Sequence, residues 1–230
     1  MLCILSFIVS YLVISSNAFR CDNKPSKRAE NNAILIWPDG IVPYEIEDVY
    51  LPEEKQIIRD TLKNMSDSTD NCVNFIERTD THRNWIHVVS KDGCYSSVGR
   101  RSSPGVQELS IDRSGCFGGG TVLHEFMHAL GFHHEQTRPD RDQYIEILYD
   151  NMNPNKTYNY DINPSAKHQT ITPYDFESIM HYSYLAATIN GLPTMTPISN
   201  DARHFRYFMG PGGALTKHDI YKIKNFYGCI

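Results

Sequence analysis

Apolar positions along this chain change period several times, and each change predicts an element. Leu2 to Ile14 is a nearly unbroken apolar run, too short to cross a bilayer as a helix. The pattern resumes at Ile34-Leu35-Ile36-Trp37. Ile41 to Ile46 reads as a strand, and Pro43 within it predicts an edge or bulged position. Leu51 to Met65 repeats at helical spacing, with Pro52 in the first turn and Ile58, Leu62 and Met65 on one face. Asn84 to Ser90 and Gln107 to Ile111 alternate or run apolar, as strands do. Val122 to Leu130 is helical, and Gly131 stops it. Thr216-x-x-Asp219 resembles a capping box, opening a last helix with Ile220, Ile223 and Tyr227 on its apolar face and Gly228 at its end. Residues 152–213 are rich in Asn, Pro, Gly and Tyr and show few periodic runs. Strands and helices first and an irregular half second predict an α+β domain of two lobes, with the Val122–Leu130 helix between them.

The ends and the cysteines add a compartment. Small residues at Ser16 and Ala18 follow the first apolar run, so residues 1–18 read as a signal peptide cut after Ala18, although the basic start is missing. The alternative, a membrane anchor, is disfavoured by the shortness of the run. Phe19 to Arg28 is polar and ends in Lys27-Arg28, the form of a removable propeptide, which leaves residues 29–230 as the folded domain. Cys3 leaves with the signal, and Cys21 is odd. Cys72, Cys94, Cys116 and Cys229 form an even set suited to an oxidising environment; four cysteines allow three pairings, among which sequence alone does not choose. Asn64-Met65-Ser66 and Asn155-Lys156-Thr157 are sequons for glycans. A net charge of −5 gives no reason to expect nucleic acid or an anionic membrane as a partner. The expectation is a secreted, extracellular, soluble protein with no membrane anchor, working as a monomer.

Three of the ten histidines are candidates to carry the chemistry. His124-Glu125-Phe126-Met127-His128 places two imidazoles four residues apart, on one face of a helix. At that spacing both reach one metal at about 2.0–2.1 Å. Gly131 lets the chain leave the helix, and His134 returns as a third ligand. His133 competes for that role but breaks the offset by one residue. Three neutral histidines leave a divalent zinc its full charge and one open position, the mark of a catalytic site; structural zinc sites are closed by four protein ligands. The longer pattern, with a later Met-turn, is the metzincin signature.

These segments resemble the astacin family. The match runs from His124 through His134-Glu135 and on through Gln136-Thr137-Arg138-Pro139-Asp140-Arg141-Asp142, and the family's Met-turn appears as Ser178-Ile179-Met180-His181-Tyr182. Further similar stretches are residues 34–44, 94–101, 107–116 and the last helix into Cys229, so the resemblance covers essentially Ala29 to Ile230. It implies a single metzincin-type catalytic domain of two lobes, with a twisted mixed sheet and helices in the first lobe and an irregular second lobe ending in a helix. It also implies a zinc endopeptidase acting on protein or peptide substrates through one catalytic Zn2+. Zinc-activated water attacks the peptide carbonyl, and Glu125 is the general base. By the same resemblance Tyr182 is a fifth zinc ligand at rest that swings to stabilise the oxyanion, and Met180 is an apolar floor rather than a ligand. The resemblance also implies the disulfides Cys72–Cys229 and Cys94–Cys116. Glu135 lies near the mature N-terminus, Ala29, whose new ammonium would fold toward it; read alone, Glu135 is a solvated charge or a salt-bridge partner of Arg138.

Latency is expected of a secreted zinc peptidase. The family often carries Phe-x-Gly-Asp in its propeptide, with the aspartate on the zinc. This chain has Phe19-Arg20-Cys21-Asp22, which leaves two caps open, the Asp22 carboxylate, favoured by position, and a Cys21 thiolate; the alternative to both is a disordered leader that does not touch the metal. A binding module that keeps the fold is disfavoured by the intact Glu125, and a structural zinc site by the missing fourth ligand. A metallohydrolase for non-peptide substrates is disfavoured by the extent of the resemblance.

Overall fold

The structure, a computed structural model, describes residues 34–118, 120–210 and 212–230. The expected signal peptide and propeptide, with Cys21, Asp22 and Ala29, therefore lie outside the described residues. Five strands form one twisted sheet: β1 (Ile41–Ile46), β2 (Asn74–Glu77), β3 (Asn84–Val89), β4 (Tyr95–Ser96) and β5 (Gly105–Ser110). Their order is β2-β1-β3-β5-β4, all parallel except β4, which runs antiparallel to β5 at the edge. Two long helices accompany the sheet, α1 (Pro52–Ser68) and α2 (Thr121–Leu130). Ile58, Leu62 and Met65 of α1 are buried on the predicted face.

Pro43 corrects the edge-strand expectation. β1 lies inside the sheet, between β2 and β3. The ladder to β3 begins only at Tyr44, paired with Ile86, so Pro43 sits outside it and its missing N–H is tolerated there.

Among its described residues the second half contains a two-stranded sheet, β6 (Ile145–Ile147) with β7 (Met195–Pro197), several short 3-10 segments, and α3 (Lys217–Phe226). It has its own buried cluster, built on Ile145, Met152, Tyr160, Tyr174 and Met195. The larger cluster joins the sheet, α1, α2 and Ile223 of α3. Two cores with α2 at the seam make the two lobes. The inward face of α3 is not purely apolar: Asp219 and Lys222 are buried beside Ile223, while Ile220 is half-buried. Two disulfides are present among the described residues, Cys72–Cys229 and Cys94–Cys116.

Candidate metal and catalytic site

α2 is buried along most of its length, which fixes the direction of everything it carries. Val122, Leu123, Phe126, Met127, Ala129 and Leu130 belong to the core, so positions 121, 124, 125 and 128 are what remains for the cleft, and all four line it. Its last carbonyls are all used. His128 O accepts from Gly99 N at 2.9 Å, Ala129 O from Trp37 Nε1 at 2.9 Å, and Leu130 O from the Tyr227 hydroxyl at 3.0 Å. Gly131 N donates to His128 O and Phe132 N to Met127 O, a Schellman ending that needs a left-handed residue. Gly131 has φ +114°, and a Cβ there would sit 2.8 Å from the ring of Phe226. Only glycine turns the chain here so that His134 returns.

Return it does. Nε2 of His134 lies 3.2 Å from Nε2 of His124 and 3.1 Å from Nε2 of His128. Three nitrogens held tetrahedrally at about 2.0–2.1 Å from one zinc would be about 3.3 Å apart. The ring tautomers agree with that use. Nδ1 of His124 donates to Ile179 O at 2.7 Å, and Nδ1 of His128 donates to Phe132 O at 2.7 Å. A carbonyl only accepts, so both Nδ1 atoms carry the proton and both Nε2 atoms present lone pairs. One proton on His134 can answer one of them; a cation among the three answers all. Burial holds the imidazoles neutral, pulling His128 down to about 3 and His124 and His134 also below the ordinary value, His134 by more. The donor set fits zinc, and among the described residues no other group of three His, Cys, Asp or Glu side chains converges in this way.

His133 turns elsewhere. Its Nδ1 meets the Asn163 amide nitrogen at 3.0 Å, and its backbone is clamped by Gln169, whose Oε1 accepts from His133 N and whose Nε2 donates to His133 O. Burial lowers it to about 4.

Glu125 is buried, and its Oε2 has no hydrogen-bond partner among the described residues. Burial alone lifts its carboxyl to about 7; a bound divalent charge would act in the opposite direction. The ring of Tyr182 packs 4.4 Å from that of His134, and burial raises its phenol to about 12. His124, Glu125, His128, His134 and Tyr182 line one open cleft of about 540 Å³, with Tyr95 and Ser96 of β4 on its rim.

The Met-turn is pinned from below. Asp219 of α3 accepts from the Ser178 hydroxyl at 2.6 Å and from Ile179 N at 3.1 Å, besides capping its own helix through Thr216. The carbonyl of the same residue, Ile179, accepts from His124 Nδ1, so Asp219 anchors the turn that orients this imidazole. Met180 is buried and donates its N–H to Ser178 Oγ. Gln136 Oε1 accepts from Tyr182 N at 3.1 Å. Glu135 is wholly buried, which removes the solvated-charge reading. It accepts from Arg138 at 2.8 Å, from Lys222 at 2.7 Å and from Asp175 N at 3.1 Å. Sequence reading missed Lys222, although a lysine beside Ile223 on the inward stripe of α3 was a visible signal. It also saw Asp219 only as a cap.

Comparison with known proteins places this geometry. The profile of the Astacin peptidase family matches residues 29–228. High choriolytic enzyme 1 of Oryzias latipes is 39% identical over 219 residues, covering 93% of this chain and 74% of that protein. Zinc metalloproteinase nas-15 of Caenorhabditis elegans is 36% identical over 202 residues, 87% of this chain but 34% of the worm protein. The solved structure of High choriolytic enzyme 1, a hatching enzyme zinc-protease from medaka, superposes with a TM-score of 0.74 at 37% identity, covering 86% of this chain and 95% of that one. Myroilysin, at 21% identity and a TM-score of 0.57, shares the fold.

Proposed function

The chain belongs to the astacin family of zinc metalloendopeptidases, and from that premise we propose that it hydrolyses internal bonds of extracellular proteins with one zinc ion on His124, His128 and His134. The observation that carries the reading is the convergence of three imidazole Nε2 atoms beside a buried carboxylate oxygen without a partner. When bound, zinc supplies Lewis-acid polarisation of a water and of the substrate carbonyl. Glu125 is the general base: its carboxylate takes the proton the water gives up as it attacks the carbonyl carbon. It then returns that proton to the amide nitrogen as the carbon–nitrogen bond breaks. Tyr182 donates its hydroxyl to the oxyanion that develops on the carbonyl oxygen. Met180 closes the floor of the site without ligating.

The same reading assigns residues 1–18 as a signal peptide, 19–28 as a propeptide with Asp22 as the cap and Cys21 as the alternative, and 29–230 as the catalytic domain. The product is a secreted monomer. Two disulfides among the described residues support an oxidising compartment, and no described helix is long and apolar enough to cross a membrane. Asn64 and Asn155 are both exposed and are assigned as glycan sites. Lys222 and Arg138 already pair with Glu135, so a new ammonium at Ala29 would join an existing ionic cluster rather than pair with a lone acid.

The test is hydrolysis of an unfolded protein by the purified mature chain, abolished by chelation and restored by Zn2+. Glu125→Ala should lower turnover at least about a thousandfold while zinc stays bound, since the ligands remain. Near-normal turnover in that variant overturns the assignment.

A further inference from the structure

The rim strand β4 separates two cavities. Tyr95 and Ser96 line both the triad cleft and a second recess of about 440 Å³, whose other walls include Arg101, Val106, Gln107 and Glu108. Tyr95 and Val106 are 43% and 38% exposed and give the recess apolar sides. Arg101 gives it charge. Its Nη1 reaches only the Val106 carbonyl, at 3.3 Å, and no carboxylate among the described residues pairs with it. Its backbone is nevertheless fixed. Gln107, 2% exposed, accepts from the Arg101 N–H at 3.1 Å and donates to Gly99 O at 3.2 Å. Glu108, the acid in the lining, is held by Lys91 at 2.6 Å, so it leaves the guanidinium uncompensated.

A largely polar recess with two apolar walls, Tyr95 and Val106, and a guanidinium without a carboxylate partner complements a short methylene stem that ends in a carboxylate. β4 pairs with β5 on one side only, and an edge strand of this kind takes up an extended peptide, whose alternate side chains then fall into pockets beside it. We propose that the recess is a substrate subsite for an acidic side chain of the glutamate type, with Arg101 as the residue that selects it. The inference rests on the peptidase reading above, because the substrate must pass along β4 to reach the triad.

The experiment compares peptides in which each position in turn carries Glu or Gln. The wild-type protein should prefer Glu about fivefold in kcat/KM at one position away from the cleaved bond, the scale of a partly exposed ion pair. The preference should shrink as salt is raised. Arg101→Gln should bring the ratio to about one, and Arg101→Glu should turn the preference toward Lys. Binding of the same peptides to the zinc-loaded Glu125→Ala protein, followed by calorimetry, should change in parallel. A wild-type ratio near one at every position, or a ratio that both Arg101 variants leave unchanged, overturns the subsite alone. A wild-type protein inactive on every peptide overturns the subsite and the peptidase reading together. Should the variants not fold, the wild-type ratio and its salt dependence decide the matter without them.

Discussion

Lys222 of the last helix and Glu135, the residue that follows the third histidine of the triad, form an ion pair 2.7 Å long with both side chains buried from water. Arg138 completes the arrangement on the other carboxylate oxygen at 2.8 Å and is itself held by Asp140 and by the carbonyls of Thr172 and Pro173. Breaking one side of such a cluster leaves charge in a dry interior. Lys222→Met should therefore destabilise the fold by about 3–5 kcal/mol. Lys224→Met, which breaks the pair with the exposed Asp70, should stay within about 1 kcal/mol. Denaturant unfolding of the two variants with disulfides intact checks this, and equal losses would contradict it.

His134→Ala should empty the metal site, whereas His133→Ala should leave zinc content close to one per chain. His134 brings its Nε2 to the other two histidines, while His133 is engaged with Asn163 and Gln169. Elemental analysis of the purified variants decides it. Greater zinc loss at His133 would shift the ligand assignment by one residue.

Tyr182→Phe should lower kcat/KM by the loss of one oxyanion donor, about 3 kcal/mol of transition-state stabilisation, with zinc still bound. The ring would still pack on His134, so stability should change little. Unchanged catalytic efficiency would remove Tyr182 from the reaction.

The uncleaved precursor, with cleavage after Arg28 blocked, should be inactive. Asp22→Ala should release activity and Cys21→Ser should not, because the aspartate holds the family's position. Release by Cys21→Ser alone would assign the cap to the thiolate. A fully active precursor would end the latency proposal.

Much of the fold can be read from periodicity because its elements bury apolar side chains at regular spacing. Ile58, Leu62 and Met65 mark α1 in this way, and Val122 to Leu130 mark α2. The triad is readable for a different reason: a metal demands fixed offsets, and Gly131 marks the turn that makes the third offset reachable. What escapes such reading is organised by partners distant in sequence. Pro43 looks like an edge residue until the register places the start of the β3 ladder one residue later. Lys222 looks like a solvated charge on a helix until Glu135, 87 positions away, is found against it. The second lobe has few regular runs because its core is assembled from aromatic and methionine side chains on short turns, which leave no period behind.

The bond between Cys72 and Cys229, 157 positions apart, has a consequence for a chain that works among proteases, itself included. Any single nick between those residues, in the long irregular loops or beside the cleft, leaves one covalent molecule with no fragment free to diffuse away. The last helix stays tethered to the segment that follows α1, so its grip on the Met-turn outlives the cut. Damage of this kind would stay hidden on a non-reducing gel and show as two bands once thiol is added.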